Sequence, residues 1–345
     1  MLSEALQQIR VTRRSASLKS GESLQGSLRI AGPGFRTLSV TGPVAERSLS
    51  TIFYGEGGVY SRPVAIKICL DPGTRRPSGR AARSYFEALR RGSSVSRVYP
   101  DFACATAHDL IEDLGVVIME WIKGPTLARH LLWSSAETAA CRLAEAGIWL
   151  SRLHAVETLG QRPIDTALLL DQLRSIGDFP TQVAASPLLS RALDCLERTA
   201  EQVGRDDVPW ARGHGDFKPR NLMISDGRLV GLDLGLLFNS PVLYDLAYFL
   251  NHLALLLATF RAIRPSIPMW RLTEAFLAGY RQNADATIHE SQLAWVRLQH
   301  ALRMLATLRT WSRPPKVWFS SWYVRRLISS LSASLHDRMS LHRVG

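Results

Sequence analysis

The hydrophobic pattern changes period near residue 123. Ahead of that point short apolar runs recur with strand spacing. Val64-Ala65-Ile66-Lys67-Ile68 alternates and sets a lysine among apolar neighbours, and Val116 to Ile122 reads as a buried strand ending at Gly124-Pro125. A single helix fits here, over 82–91, with Tyr85, Phe86 and Leu89 on one side, and the Gly-, Pro- and Arg-rich stretch 72–80 reads as the loop before it. Beyond Gly124 the spacing is helical, with helices predicted over 136–156, 192–204, 241–260, 272–281, 291–311 and 318–336. One hairpin interrupts them: apolar runs at 222–224 and 229–232 flank the turn dipeptide Asp226-Gly227. Strands grouped ahead of helices give an α+β chain. Three segments are expected: an extension over 1–35 with a short helix at 2–10, an α+β part over 36–122, and a helical part over 123–345.

Composition narrows the class. The 345 residues are 46% hydrophobic and 21% charged, which suits a folded chain. Cys69, Cys104, Cys141 and Cys195 are scattered without metal-type spacing, and the first residues lack the apolar core of a signal peptide, so a reducing cytoplasm is expected. The most apolar stretch, 246–260, carries Asn251 and His252 and reads as a buried helix instead of a membrane span.

Chemistry is concentrated at 214–221, His-Gly-Asp-Phe-Lys-Pro-Arg-Asn, with Asp233 twelve residues beyond Asn221. The hairpin carries Asn221 at one end and Asp233 at the other, so an amide and an acid can converge on one ion while Asp216 addresses a hydroxyl. Phosphoryl transfer needs that set, since an acid positions the acceptor and the other two hold Mg²⁺ against phosphates.

These two segments resemble the catalytic and metal-binding loops of the aminoglycoside phosphotransferase-like branch of the protein-kinase-like superfamily. Gly215, where protein kinases usually carry arginine, points to the branch that acts on small molecules. The resemblance implies a two-lobed protein-kinase-like fold, with a small N-terminal β-sheet lobe holding one helix and a larger, mainly helical C-terminal lobe. It implies ATP and Mg²⁺ as cofactors, Asp216 as base, Asn221 and Asp233 as metal ligands, and Lys218 as a candidate clamp on the moving phosphoryl group. Upstream it assigns Lys67 to the α- and β-phosphates and Glu87, on the 82–91 helix, as its partner. Met119 becomes the gatekeeper, and the backbones of Glu120 and Ile122 take the adenine edge. Asp245 braces the catalytic loop, and His154 is expected to be tied into packing at a helix end. The chain departs from protein kinases in lacking a Gly-x-Gly-x-x-Gly loop. The corresponding turn holds Gly42, Pro43, Arg47, Ser48 and Ser50, where Arg47 or Ser48 could meet phosphate, and an ordinary hairpin turn fits equally well.

Two features bear on the acceptor. Only residues 234–244 separate Asp233 from Asp245, too few for a peptide-binding platform, so a small alcohol is favoured over a Ser/Thr protein substrate. The intact Lys67, Asp216, Asn221 and Asp233 set argues against a catalytically silent scaffold. The net charge is +12, and from Leu234 onward 13 basic residues face 5 acidic ones, a field that repels a polycationic aminoglycoside. A sugar, a sugar phosphate or a lipid-linked glycan fits better. Nucleic acid is disfavoured, because the basic residues are dispersed and no recognition motif accompanies them. The last helix, 318–336, repeats Phe319, Tyr323, Leu327, Leu331 and Leu335 beside Trp318, Trp322 and Arg325-Arg326. Closure of the core is the first reading, and a face resting on an anionic membrane is the second.

Overall fold

The computed structural model describes residues 25–29, 37–47, 49–57, 59–234, 239–260, 268–282, 288–311 and 314–341. The helix expected at 2–10, Ser48, and the side chains of Trp318 and Phe319 lie outside the described residues. The chain divides into two compact units. One runs to Lys123 and also takes Val230–Leu232, and the other holds Gly124–Leu229 and the remainder from Asp233.

The first unit is built on a six-stranded sheet. Its strands are β1 (Gln25–Arg29), β2 (Thr37–Glu46), β3 (Ser50–Gly57), β4 (Val64–Cys69), β6 (Ala107–Ile111) and β7 (Val116–Glu120), with β5 (Ala103–Cys104) outside it. The order is β1-β2-β3-β4-β7-β6, antiparallel throughout. β5 pairs in parallel with Val230 and Gly231. Alternation along β4 sends Val64 and Ile66 to one face, where they form a core with Val116 and Ile118. Ala65, Lys67 and Cys69 go to the other, against helix α1 (Gly79–Val98). That helix is longer than the expected 82–91. The Ser78 hydroxyl caps it by accepting the Ala81 N–H at 3.3 Å, and burial of Gly92 and Val95 carries it through the Gly-Ser-Ser run at 92–94. Gly42 and Pro43 need correction too. They lie within β2 at an irregularity between Thr41 and Ala45, and the chain reverses later, where the Arg47 N–H donates to the Ser50 carbonyl at 2.8 Å.

The second unit follows with α2 (Leu127–Trp133), α3 (Ala136–Val156), β8 (Thr158–Pro163), α4 (Thr166–Arg174), α5 (Phe179–Ala184), α6 (Pro187–Val203), β9 (Asp207–Arg212), β10 (Leu222–Ser225), the start of β11 (Arg228–Gly231), whose Val230 and Gly231 count with the first unit, and β12 (Asn239–Pro241). It ends with α7 (Leu243–Phe260), α8 (Met269–Arg281), α9 (Glu290–Trp311) and α10 (Pro314–Leu341). The short elements α2, α4, α5, β8, β9 and β12 were not apparent in the pattern, being too brief to repeat a period. β8, β9 and β12 form a small antiparallel sheet. The β10–β11 hairpin turns where expected, with positive φ at Asp226 (48°) and Gly227 (78°), the requirement of a two-residue I′ turn. α10 buries Val324, Ile328, Leu331 and Leu335 and packs on α6, α7 and α9, so its described apolar face closes the core. No described helix is long and apolar enough to cross a membrane.

Candidate active site

The loop after β9 is held by side chains that point inward at regular intervals. His214 and Phe217 are fully buried, and Asn221 nearly so, while Asp216 and Lys218 keep partial exposure. Phe217 stacks on Trp149 (ring centroids 5.6 Å) and on Phe249 (5.0 Å), which itself stacks on Phe276 (4.2 Å). Burying a phenylalanine among three aromatic rings pins the loop between Asp216 and Lys218.

Asp245, in the first turn of α7, ties the start of the loop down. Its carboxylate accepts the His214 N–H at 2.6 Å and the Gly215 N–H at 2.9 Å. His154 stands 3.0 Å from Asp245 through Nε2 and 2.9 Å from the Tyr280 hydroxyl through Nδ1. Burial alone would push the Asp245 carboxyl up. The bond from His154, the charges of His154 and His214 and the loop N–H bond outweigh it, and the carboxyl titrates below its ordinary range. Glycine is required in the loop on two counts. A Cβ on Gly213 would stand 2.8 Å from Asp245 Oδ2, and Gly215 has φ +79°. His154 is thus a buried structural histidine and Asp245 is the brace.

The Asp216 carboxylate sits in a cage of donors. Lys218 Nζ reaches both of its oxygens at 2.7 Å, the Tyr248 hydroxyl donates to Oδ1 at 2.7 Å, and Asn221 Nδ2 donates to Oδ2 at 2.8 Å. Asn221 Nδ2 also bonds the Asp216 carbonyl at 2.9 Å, which fixes the amide so that its Oδ1 is buried without a hydrogen-bond partner among the described residues. Such an oxygen suits a hard cation. Mg²⁺ typically takes one or two protein oxygens and completes its shell with water and phosphate, so the absence of a larger His/Cys/Asp/Glu cluster among the described residues is compatible with it. Asp233, the other expected ligand, adopts the left-handed conformation, φ 51°. His214 feels the charges of Asp245, Asp216 and Asp233 together. Burial nevertheless holds its pKa below the ordinary value, and its Nδ1 accepts the Asp216 N–H at 3.3 Å.

In the first unit Lys67 is 7% exposed, and its ammonium lies 3.6 Å from the centroid of the Tyr85 ring. Glu87 does not take that place. It is exposed, two positions beyond Tyr85 and so about 200° round the helix, on the side away from the strand. Tyr85 also touches Met119, its hydroxyl 3.6 Å from the sulfur, and Met119 is buried beside Lys67's strand. The Glu120 N–H donates to the Thr106 carbonyl at 2.8 Å, and its carboxylate accepts from the Thr106 N–H and hydroxyl. The Ile122 N–H has no backbone partner among the described residues. Arg47 is exposed at the β2–β3 turn.

Sequence reasoning missed Tyr85 beside Lys67 in the first unit, and Phe217 and Tyr248 around the loop of the second. Tyr248 had a usable signal, because it follows Asp245 by three on a helix and so shares its face. Burial and then the Asp216 charge push its hydroxyl well above the ordinary tyrosine range, so it remains a donor.

A sheet unit with a buried strand lysine, and a helical unit with a braced His-Gly-Asp loop, define a phosphotransferase of kinase-like fold. The chain belongs to the phosphotransferase enzyme family, whose sequence profile matches residues 74–264. Solved structures agree on the fold. A glucosamine kinase in complex with glucosamine, ADP and inorganic phosphate is 16% identical with a TM-score of 0.56, covering 94% of this chain and 96% of its own. An amicoumacin kinase with AMP-PNP, Ca²⁺ and Ami is 14% identical with a TM-score of 0.54, covering 87% and 88%. A thermostable mutant of an aminoglycoside phosphotransferase is 15% identical with a TM-score of 0.53, covering 86% and 95%. No curated protein matches the chain.

Proposed function

We propose that the chain is an ATP- and Mg²⁺-dependent kinase that transfers the γ-phosphoryl group to a hydroxyl of a small neutral or anionic acceptor such as a sugar, a sugar phosphate or a lipid-linked glycan. The observation that carries this reading is the pairing, within one loop, of the donor-caged Asp216 carboxylate with the unpartnered Asn221 Oδ1. Asp216 orients the acceptor hydroxyl and receives its proton as the bond to phosphorus forms and the β–γ bridge breaks. Lys218, already on that carboxylate, is close enough to neutralise charge gathering on the moving group. Asn221 and Asp233 hold Mg²⁺, which when bound screens the phosphate charges. Lys67 contacts the α- and β-phosphates with Tyr85 supporting its ammonium, and the free Ile122 N–H and the Glu120 carbonyl meet the adenine edge beside Met119. Arg47 remains a candidate phosphate contact.

Catalysis of this kind is alignment and charge stabilisation. The basic surplus after Leu234, 13 residues against 5, favours an acceptor without several positive charges. The test is ATP consumption across a panel of sugars, sugar phosphates, amino alcohols and lipid-linked glycans, run with the native chain and Asp216→Asn. Turnover that survives unchanged in the variant would show that Asp216 is not the base.

A further inference from the structure

Arg297, on α9, is half-buried, and burial alone holds its guanidinium down to about 10, with no carboxylate acting on it. Its Nε donates to Asn251 Oδ1 at 3.2 Å. Its other guanidinium N–H groups have no partner among the described residues and are not sealed from solvent. A guanidinium carries five donors, and a structural tie to Asn251 accounts for one of them. A cation stripped of much of its water and left without a counter-charge is costly unless a ligand brings the charge.

A chain of contacts links Arg297 to Asp216. The Tyr248 hydroxyl is on Asp216 Oδ1, and the Tyr248 ring packs against His252 (4.5 Å) and His300 (4.6 Å). Asn251 Nδ2 lies 3.2 Å from His300 Nδ1 and donates to the Arg297 carbonyl at 2.8 Å. The helix period explains the assembly: Tyr248, Asn251 and His252 share a face of α7, and Arg297 and His300 stand one turn apart on α9, with Arg303 a further turn on. The surrounding charge is positive. Burial and then Lys218 and Arg220 hold His252 down to about 3, while burial, His252 and Arg303 hold His300 well below its ordinary value. Both imidazoles are therefore neutral hydrogen-bonding groups at neutral pH. The acids that act on the Tyr248–His300 cluster are Asp216 and Asp245, and both already have donors of their own.

We propose that the acceptor side of Asp216 carries an anion subsite built on Arg297, with His300 and Arg303 following it along α9, so that the acceptor is an alcohol already bearing a phosphate or carboxylate group. This rests on the phosphotransferase reading: Asp216 takes the hydroxyl and Arg297 the anion, with Tyr248 between them. A guanidinium suits either oxyanion, since its fork presents two parallel donors.

Binding and turnover test it separately. The full chain, saturated with AMP-PNP and Mg²⁺ to fill its nucleotide site, is titrated calorimetrically with inorganic phosphate and then with acetate. Phosphate should bind, and Arg297→Met should weaken it by at least about tenfold while AMP-PNP affinity stays within about twofold. Arg303→Met, at an exposed position, should weaken it about threefold. Absence of phosphate binding to the native chain overturns the subsite, as does native-like binding in both variants. If Arg297→Met does not fold, unchanged binding in Arg303→Met overturns it alone.

Turnover is then compared on matched pairs, a sugar against its phosphomonoester and a sugar against its uronate. The charged member should be preferred, the better of the two charged forms identifies the anion, and Arg297→Met should erase the preference. Preference for the neutral member overturns the subsite and leaves the kinase reading standing. Failure to bind AMP-PNP or consume ATP overturns the kinase reading, while the phosphate titration still decides the subsite.

Discussion

Lys67 and Asp216 are both charged groups set in folded surroundings, yet the chain holds them by different means. Lys67 is a buried lysine beside Val64, Ala65 and Ile66 on β4, and the ring of Tyr85 supports its ammonium at 3.6 Å. Asp216 is gripped by Lys218, Asn221 and Tyr248 on a loop that Asp245 fastens from behind. The ring under Lys67 is a packing contact, whereas the cage around Asp216 is a polar network. Packing tolerates small changes in one partner, because dispersion is spread over many atoms. A network fails abruptly, because each lost partner strands a buried donor or acceptor. The Asp216 carboxylate should therefore be the more brittle of the two.

The widest gap should appear at the carboxylate itself. Asp216→Ala is expected to lower kcat by ~10²–10⁴-fold, the range for loss of a general base. AMP-PNP affinity, measured by calorimetry, should stay near the native value, and a parallel fall would merge the two regions into one functional unit. Next comes the brace. Asp245→Ala strands two loop N–H groups and a side of His154, and it should cost about 3 kcal/mol or more in chemical denaturation. A loss under about 1 kcal/mol would show that Phe217 packing, not the network, holds the loop.

On the packing side the effects shrink. Tyr85→Leu removes the ring under Lys67 and should raise KM for ATP several-fold, consistent with ~0.5–2 kcal/mol for a cation–π contact, while Tyr85→Phe keeps the ring and should be close to native. If the phenylalanine variant behaved like the leucine one, the hydroxyl contact to Met119 would be the part that matters.

The smallest effect is one of pH. His214 and His252 titrate below the ordinary histidine value because they are buried, His252 at about 3. Unfolded imidazoles take up protons near about 6.5, so below that pH the unfolded state binds more protons than the folded one. Their neutral burial is thus compatible with full stability above about 6.5, and stability falls as the pH drops through that value toward the folded pKa. His252→Gln should flatten the decline of the denaturation midpoint between about pH 6.5 and 5, and an unchanged slope would assign the decline to other groups.

What could be read in advance follows how local the determining physics is. Asp216 and Asn221 belong to one short loop whose spacing does the work, and the I′ turn at Asp226-Gly227 is written in two residues. Lys67 was found because strand alternation is also local. The ring beneath it was missed, because helix period sets Tyr85 on a buried face with Leu89 and leaves Glu87 exposed, and the reading looked only for an acid. Tyr248 and Arg297 reach their places through the packing of α7 on α9, a long-range fact that no local pattern encodes. Gly42-Pro43 looked like a turn, but an irregular strand accommodates the same pair, and composition cannot separate the two.

The alternation of inward and outward side chains along 214–221 also sorts the loop by mutational tolerance. His214, Phe217, Pro219 and Asn221 are committed to the interior, and change there unbuilds the loop. Arg220 is exposed and Lys218 partly so, and neither supports the fold from within. Selection for a new acceptor can therefore explore position 220 almost independently of stability, while Lys218 stays tied to Asp216, so one outward-facing codon inside an otherwise immovable motif is where specificity is free to drift.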